Sequence, residues 1–231
     1  MMTVEGRFSE WYVAKFGPQW FRTLSGISFW PYSLMCACFP VIGGLFAPIH
    51  WYREIAIFII YLIGLGISAH ALDALGKNKP WGMYLSNTAL ITMAMIGFFA
   101  CMDIAVYFVL AEGTYIILIT GAIAIFFALT YNLEWFNGKL HTNGGFALVW
   151  GSWSMLVGYT FSGGYNLLVL FLLMVVGYSA SSVEINASRP YRALKKQRLT
   201  DIDLVRQYQL ILISIVLLVL SLTALLIVGR M

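Results

Sequence analysis

Three short stretches concentrate the residue types that do chemistry in this sequence. The first, Ser68 to Pro80, holds His70, Asp73, Lys77 and Lys79. Gly66, His70, Asp73 and Lys77 follow one another by steps of four, three and four, which on a helix places them along one face. The Asp73 carboxylate needs a cation there: Lys77 or Lys79 in a structural pair, a metal ion, or a charged substrate. The second stretch, Tyr131 to Asn143, adds Tyr131, Glu134 and His141. If the two stretches converge, His70, Asp73, Glu134 and His141 form a nitrogen and oxygen ligand set that suits zinc or iron. If they do not, Trp135 anchors an interface and Glu134 pairs with Lys139. The third stretch, Ser181 to Arg192, puts Gly177, Ser181, Glu184 and Ser188 on one helical face. Arg189 and Arg192 could grip a phosphate bidentately, or lie against anionic lipid headgroups.

The elements that must carry these residues are membrane helices. The chain has 231 residues, 61% of them hydrophobic and 10% charged, against about half apolar and a quarter charged in soluble domains. Apolar runs of spanning length recur without the period of two that a barrel strand needs, so an all-α polytopic bundle is expected. About seven spans are predicted, over 26–48, 55–75, 88–110, 114–135, 145–161, 166–183 and 209–229. Before them, Phe8, Trp11, Tyr12, Phe16 and Trp20 recur at helical spacing among basic residues, which predicts an interfacial arm over 1–25. The transmembrane domain is then 26–231. Glu5, Arg7 and Glu10 precede any apolar run, unlike a cleaved signal peptide.

Counting basic residues on alternate sides of this map gives a strong asymmetry. One side carries Arg7, Lys15, Arg22, Lys77, Lys79, Lys139, Arg189, Arg192, Lys195, Lys196, Arg198 and Arg206; the other carries Arg53 and Arg230, completing the 14. The positive-inside rule then predicts a cytoplasmic N-terminus and cytoplasmic basic loops. All three chemical stretches fall on that side. The net charge of +4 therefore reflects topology, and no nucleic-acid partner is expected.

Cys36, Cys38 and Cys101 lie in apolar runs and read as reduced core cysteines. Gly43, Gly44, Gly64, Gly66, Gly121, Gly151 and Gly158 are expected to allow close helix approach. Asp103, inside the third span, is expected to hydrogen-bond within the bundle. The last span contains no lysine, which excludes a retinal Schiff base, and there is no P-loop, nucleophile elbow or HExxH motif.

At its polar clusters the chain resembles the UbiA-type membrane prenyltransferases. That family's first acidic motif, N-D-x-x-D-x-x-x-D after the second span, falls on Ala69, His70, Asp73 and Lys77, with one acid kept; Lys79-Pro80 resembles its Arg-Pro. The run from Tyr131 through Phe136 and Asn143 to Gly158-Tyr159 resembles its tyrosine-containing loop and the glycine-rich span after it. The second acidic motif falls near Ser181 to Ser188 and keeps Glu184. The likeness covers about residues 20 to 200, as a divergent prokaryotic branch two spans shorter than the family's roughly nine.

The resemblance implies transfer of an isoprenoid from its diphosphate to an aromatic or lipid acceptor, with Asp73 and Glu184 helping to hold Mg²⁺. Lys77, Lys79, Tyr131, Arg189 and Arg192 then meet the substrate, in a prokaryotic cytoplasmic membrane. Two other readings stand beside it. One is a membrane metalloprotein using His70, Asp73, Glu134 and His141 with zinc or iron. The other is a non-catalytic protein that binds lipid, quinone or pigment, or serves as a subunit of a membrane complex.

Overall fold

The computed structural model describes residue 8 and residues 10–75, 84–197 and 201–231, and it is all-helical. Its helices are α1 Gln19–Ile27, α2 Trp30–Leu45, α3 Trp51–Leu75, α4 Asn87–Glu112, α5 Ile116–Asn132, α6 over 143–161, α7 Leu167–Gln197 and α8 Ile202–Val228. Each of the seven expected segments overlaps one of the helices α2 to α8, with different bounds. By length and composition, α3, α4, α7 and α8 can each cross a membrane, and α1 with α2, bent by 41° at their junction, makes a fifth if counted as one span.

Helix α2 is the centre of the bundle. It is buried from Pro31 to Leu45 at every position but Leu34, and it packs on α3, α6 and α8. Between such helices lipid gives no hydrophobic drive, so attraction depends on close backbone approach. Gly158 of α6 provides it against α2: a β-carbon there would collide with the backbone of Pro40. Gly151 and Gly177 do the same where α6 meets α7, each against the other's carbonyl. Gly121 departs from the expectation, with nothing within 4 Å of where its β-carbon would lie.

Helix ends follow local chemistry. The Ser86 hydroxyl accepts from Ala89 N at 3.1 Å to open α4, and Gly113 (φ 66°) closes it. Asp201 caps α8 through Leu204 N at 3.0 Å. Helix α7 runs on beyond the span expected to end at 183, so Glu184, Arg189 and Arg192 stand on a helix rather than in a loop. Buried Ser181, Glu184, Ser188 and Tyr191, three or four residues apart, keep that face inward over the added turns. Two π-helical turns, Gly64–Ala69 in α3 and Ala147–Ser152 in α6, widen the helices next to the polar end of the bundle.

The described part of the N-terminal arm docks on the bundle in one place and is exposed in another. Glu10, Tyr12 and Val13 are buried against the bundle, while Phe16 and Trp20 are 74% and 64% exposed. The Glu10 carboxylate explains the docking, because it accepts from Tyr191 Oη at 2.9 Å and Lys195 Nζ at 3.0 Å on α7. At the opposite end of the bundle Arg53 binds the Glu112 carboxylate (Nε to Oε2, 2.9 Å) and the Phe161 carbonyl (2.8 Å).

Candidate functional site

The three polar stretches converge. His70 and Asp73 from α3, Tyr131 from the end of α5, Glu134 and His141 from the following loop, and Glu184, Arg189 and Arg192 from α7 all line one cavity of about 210 Å³. Lys77 and Lys79 lie outside the described residues. Lys139 is exposed and makes no ion pair with Glu134 among the described residues, and Glu134 lines the cavity instead.

Helical period accounts for His70 and Asp73, which begin the regular turns after the π segment of α3. The loop after α5 needs more. Glu134, Phe136 and Asn137 adopt left-handed φ of 54°, 57° and 58°, and Gly138 of 72°. This is a conformation that bulky residues seldom hold without support. The support is visible: Trp135 N donates to Thr130 O at 3.0 Å, Gly138 N to Glu134 O at 3.0 Å, and His141 N to Gly138 O at 2.9 Å. The turn brings the His141 ring back over Tyr131, with Nδ1 3.1 Å from the Tyr131 carbonyl.

The cavity is mixed in charge. Asp73, Glu134 and Glu184 face Arg189 and Arg192. Glu184 is 3% exposed, and its Oε2 is buried with no hydrogen-bond partner. Arg189 donates to the His141 carbonyl at 3.1 Å and approaches Tyr131 Oη at 3.5 Å; Arg192 Nε reaches the Ser188 carbonyl at 3.3 Å. These contacts anchor each guanidinium through one or two of its five N–H donors. The His70 ring lies 5.0 Å from that of Phe29, and its buried Nδ1 has no hydrogen-bond partner.

His70, Asp73, Glu134 and His141 thus share a cavity without forming a metal cage. Among the described residues no three His, Cys, Asp or Glu side chains stand close enough to hold one ion. A hard cation that keeps waters and phosphate oxygens needs only one or two carboxylates. The carboxylates lining the cavity are Asp73, Glu134 and Glu184, the last with an orphaned oxygen.

Sequence reasoning missed the aromatic wall of Phe29, Tyr32 and Trp150. Phe29 sits at the α1–α2 junction with φ 42°, and among so many aromatic residues nothing in the sequence marks it. A second cavity, of about 80 Å³ and lined by apolar residues of α3, α4, α5 and α6, shares Leu65 and Trp150 with the polar one. The chain matches no family model, no curated protein and no solved structure.

Proposed function

We propose that the chain is a seven-span, UbiA-like protein of a prokaryotic cytoplasmic membrane, with its N-terminus and basic loops cytoplasmic, that binds an isoprenoid by its diphosphate. The observation that carries this reading is one cavity lined by Arg189, Arg192, Asp73 and Glu184 that shares the lining residues Leu65 and Trp150 with a mostly apolar cavity. A volume of about 210 Å³ is below the roughly 300–1,000 Å³ that encloses a drug-sized ligand. It suits a headgroup whose tail leaves along the apolar side.

The chain's own residues divide the work. Arg189 and Arg192 offer N–H donors in a fork that matches phosphate oxygens. Tyr131 and His141 hold the loop that shapes the cavity mouth. Three carboxylates against two guanidiniums leave no surplus positive charge for a diphosphate, so Asp73 and Glu184 would act by holding a divalent cation. Mg²⁺, when bound there, would neutralise the phosphate oxygens.

The test is titration of the detergent-solubilised full chain with farnesyl diphosphate, farnesol and inorganic pyrophosphate, each with Mg²⁺ and with chelator. Tight binding of farnesyl diphosphate that needs Mg²⁺, weakened by Arg189→Gln and Arg192→Gln, supports the proposal. Farnesol binding as tightly, or no binding of the diphosphate, overturns it. Release of pyrophosphate when an aromatic acceptor is added would extend the proposal from binding to transfer.

A further inference from the structure

Asp103 faces out of the bundle, not into it. The buried stripe of α4 runs through Leu90, Ala94, Gly97, Cys101, Ala105 and Phe108. At 100° per residue Asp103 lies nearly opposite it, and the side chain is exposed, with no hydrogen bond or ion pair to the described residues. This corrects the expectation of a hydrogen bond within the bundle. Asp103 stands nine residues from Glu112 and 16 from Asn87, so it lies about 5 Å from the middle of α4, within a hydrocarbon core about 30 Å thick centred on that helix. A carboxylate on so short a stem cannot snorkel to water as lysine does. Left in lipid it costs about 2.5–3.5 kcal/mol by insertion scales.

The surroundings of Asp103 form a helix-docking seam. Ile96, Phe99, Asp103, Val106 and Leu110 are all exposed and follow the three-and-four spacing of a helix seam. The open groove of about 520 Å³ between α3 and α4, lined by Ile104, Tyr107, Phe108 and Glu112, lies to the side of this seam and is not part of it. We propose that this face seats a transmembrane helix of another protein that carries a lysine or arginine at the depth of Asp103. Charge decides the occupant. Among the described residues the basic side chains lie toward the two ends of the bundle, where Arg53 already binds Glu112. A second copy would therefore bring another carboxylate, not a cation.

The test uses the full chain, donor-labelled, in phosphatidylcholine vesicles with acceptor-labelled leucine–alanine transmembrane peptides that carry a central lysine or a central leucine. Energy transfer should show the lysine peptide binding about threefold to twentyfold more tightly, the range of interhelical polar contacts in membranes. Asp103→Leu should abolish that preference while leaving the protein's elution and melting unchanged. Equal binding of both peptides, or a lysine preference that survives Asp103→Leu, overturns the proposal. Asp103-dependent energy transfer between differently labelled copies of the chain also overturns it, because the occupant is then a second copy.

Discussion

The His141 imidazole stacks on the Tyr131 phenol ring, with centroids 4.6 Å apart and planes 27° apart. The pair closes a loop of ten residues whose middle is held in left-handed backbone conformations. His141 is held by its ring nitrogen as well, 3.1 Å from the Tyr131 carbonyl, but Tyr131 is not held by its polar tip. The Tyr131 hydroxyl reaches Arg189 only at 3.5 Å, the outer limit of a hydrogen bond, so the ring rather than the hydroxyl positions the loop.

Tyr131→Phe should consequently change farnesyl diphosphate affinity by less than about threefold, the scale of one weak hydrogen bond. Tyr131→Ala, which removes the stacking surface, should weaken binding by about tenfold or more and raise protease sensitivity within 133–142. Equal effects of the two variants would place the function in the hydroxyl and refute the stacking argument.

Glu10 fastens the N-terminal arm to α7. Its carboxylate is 2% exposed and bound by Lys195 and Tyr191. Glu10→Gln should lower unfolding stability by about 1.5–3 kcal/mol, as for other hydrogen bonds to charged groups, and open the segment before α1 to proteolysis. Lys195→Met should reproduce the arm's release, because it removes the other half of the pair. A protease-resistant arm in both variants would mean that the aromatic contacts of Trp11 and Tyr12 with Tyr32 suffice alone.

How much of this was legible in the sequence depends on the range of the interaction. His70 and Asp73 on one face follow from helical period alone, and so do the buried positions of Ser181, Glu184 and Ser188. The meeting of α3, α5 and α7 is a packing outcome between distant segments, so the cavity-lining residues could be listed but their shared cavity could not be foreseen. The extent of α7 was hidden because Arg189, Pro190 and Arg192 look like a basic loop. Burial of Glu184 and Tyr191 and the bond from Lys195 to Glu10 keep those turns helical. Asp103 was misplaced for a related reason: a carboxylate in an apolar run announces a need for a partner, not whether that partner lies inside the bundle.

Two glycines that look alike in sequence should behave oppositely. Gly158→Ala pushes a methyl group into the Pro40 backbone, so α2 and α6 must separate. Overpacking of this kind costs about 1–3 kcal/mol. Gly121→Ala enters open space beside the apolar cavity and removes a helix-interior glycine, which should be neutral or stabilise by up to about 1 kcal/mol. Thermal unfolding of both variants in one detergent checks this, and a Gly158→Ala protein as stable as the parent would contradict the α2–α6 packing.

Sidedness has its own measurement. A single cysteine at Gln197, beside the most basic connection, should resist an impermeant thiol reagent in intact cells and react after lysis, because the positive-inside rule puts that connection in the cytoplasm. Reaction without lysis would move the whole cavity to the outer face, where the proposed isoprenoid diphosphate would not be supplied.

Asp73 gives the sharpest division between a site and a structural pair. It lines the cavity with Glu184, Arg189 and Arg192, and under the proposed likeness to the UbiA-type prenyltransferases it is the one acid kept at the position of their first motif. Asp73→Asn preserves size and much of the hydrogen bonding but removes the charge that attracts a cation. If Asp73 helps hold Mg²⁺ against a diphosphate, the Mg²⁺-dependent part of farnesyl diphosphate affinity should fall by about tenfold or more. That corresponds to losing one charge-assisted contact of about 1.5 kcal/mol. Binding measured with chelator present should hardly move, and elution and melting should stay those of the parent. If Asp73 serves a nearby lysine instead, the freed ammonium can reach water on its long stem at small cost, and affinity with Mg²⁺ should match the parent's. Measured side by side, the two proteins then either differ only when Mg²⁺ is present, which assigns Asp73 to the cation, or do not differ, which removes it from the site.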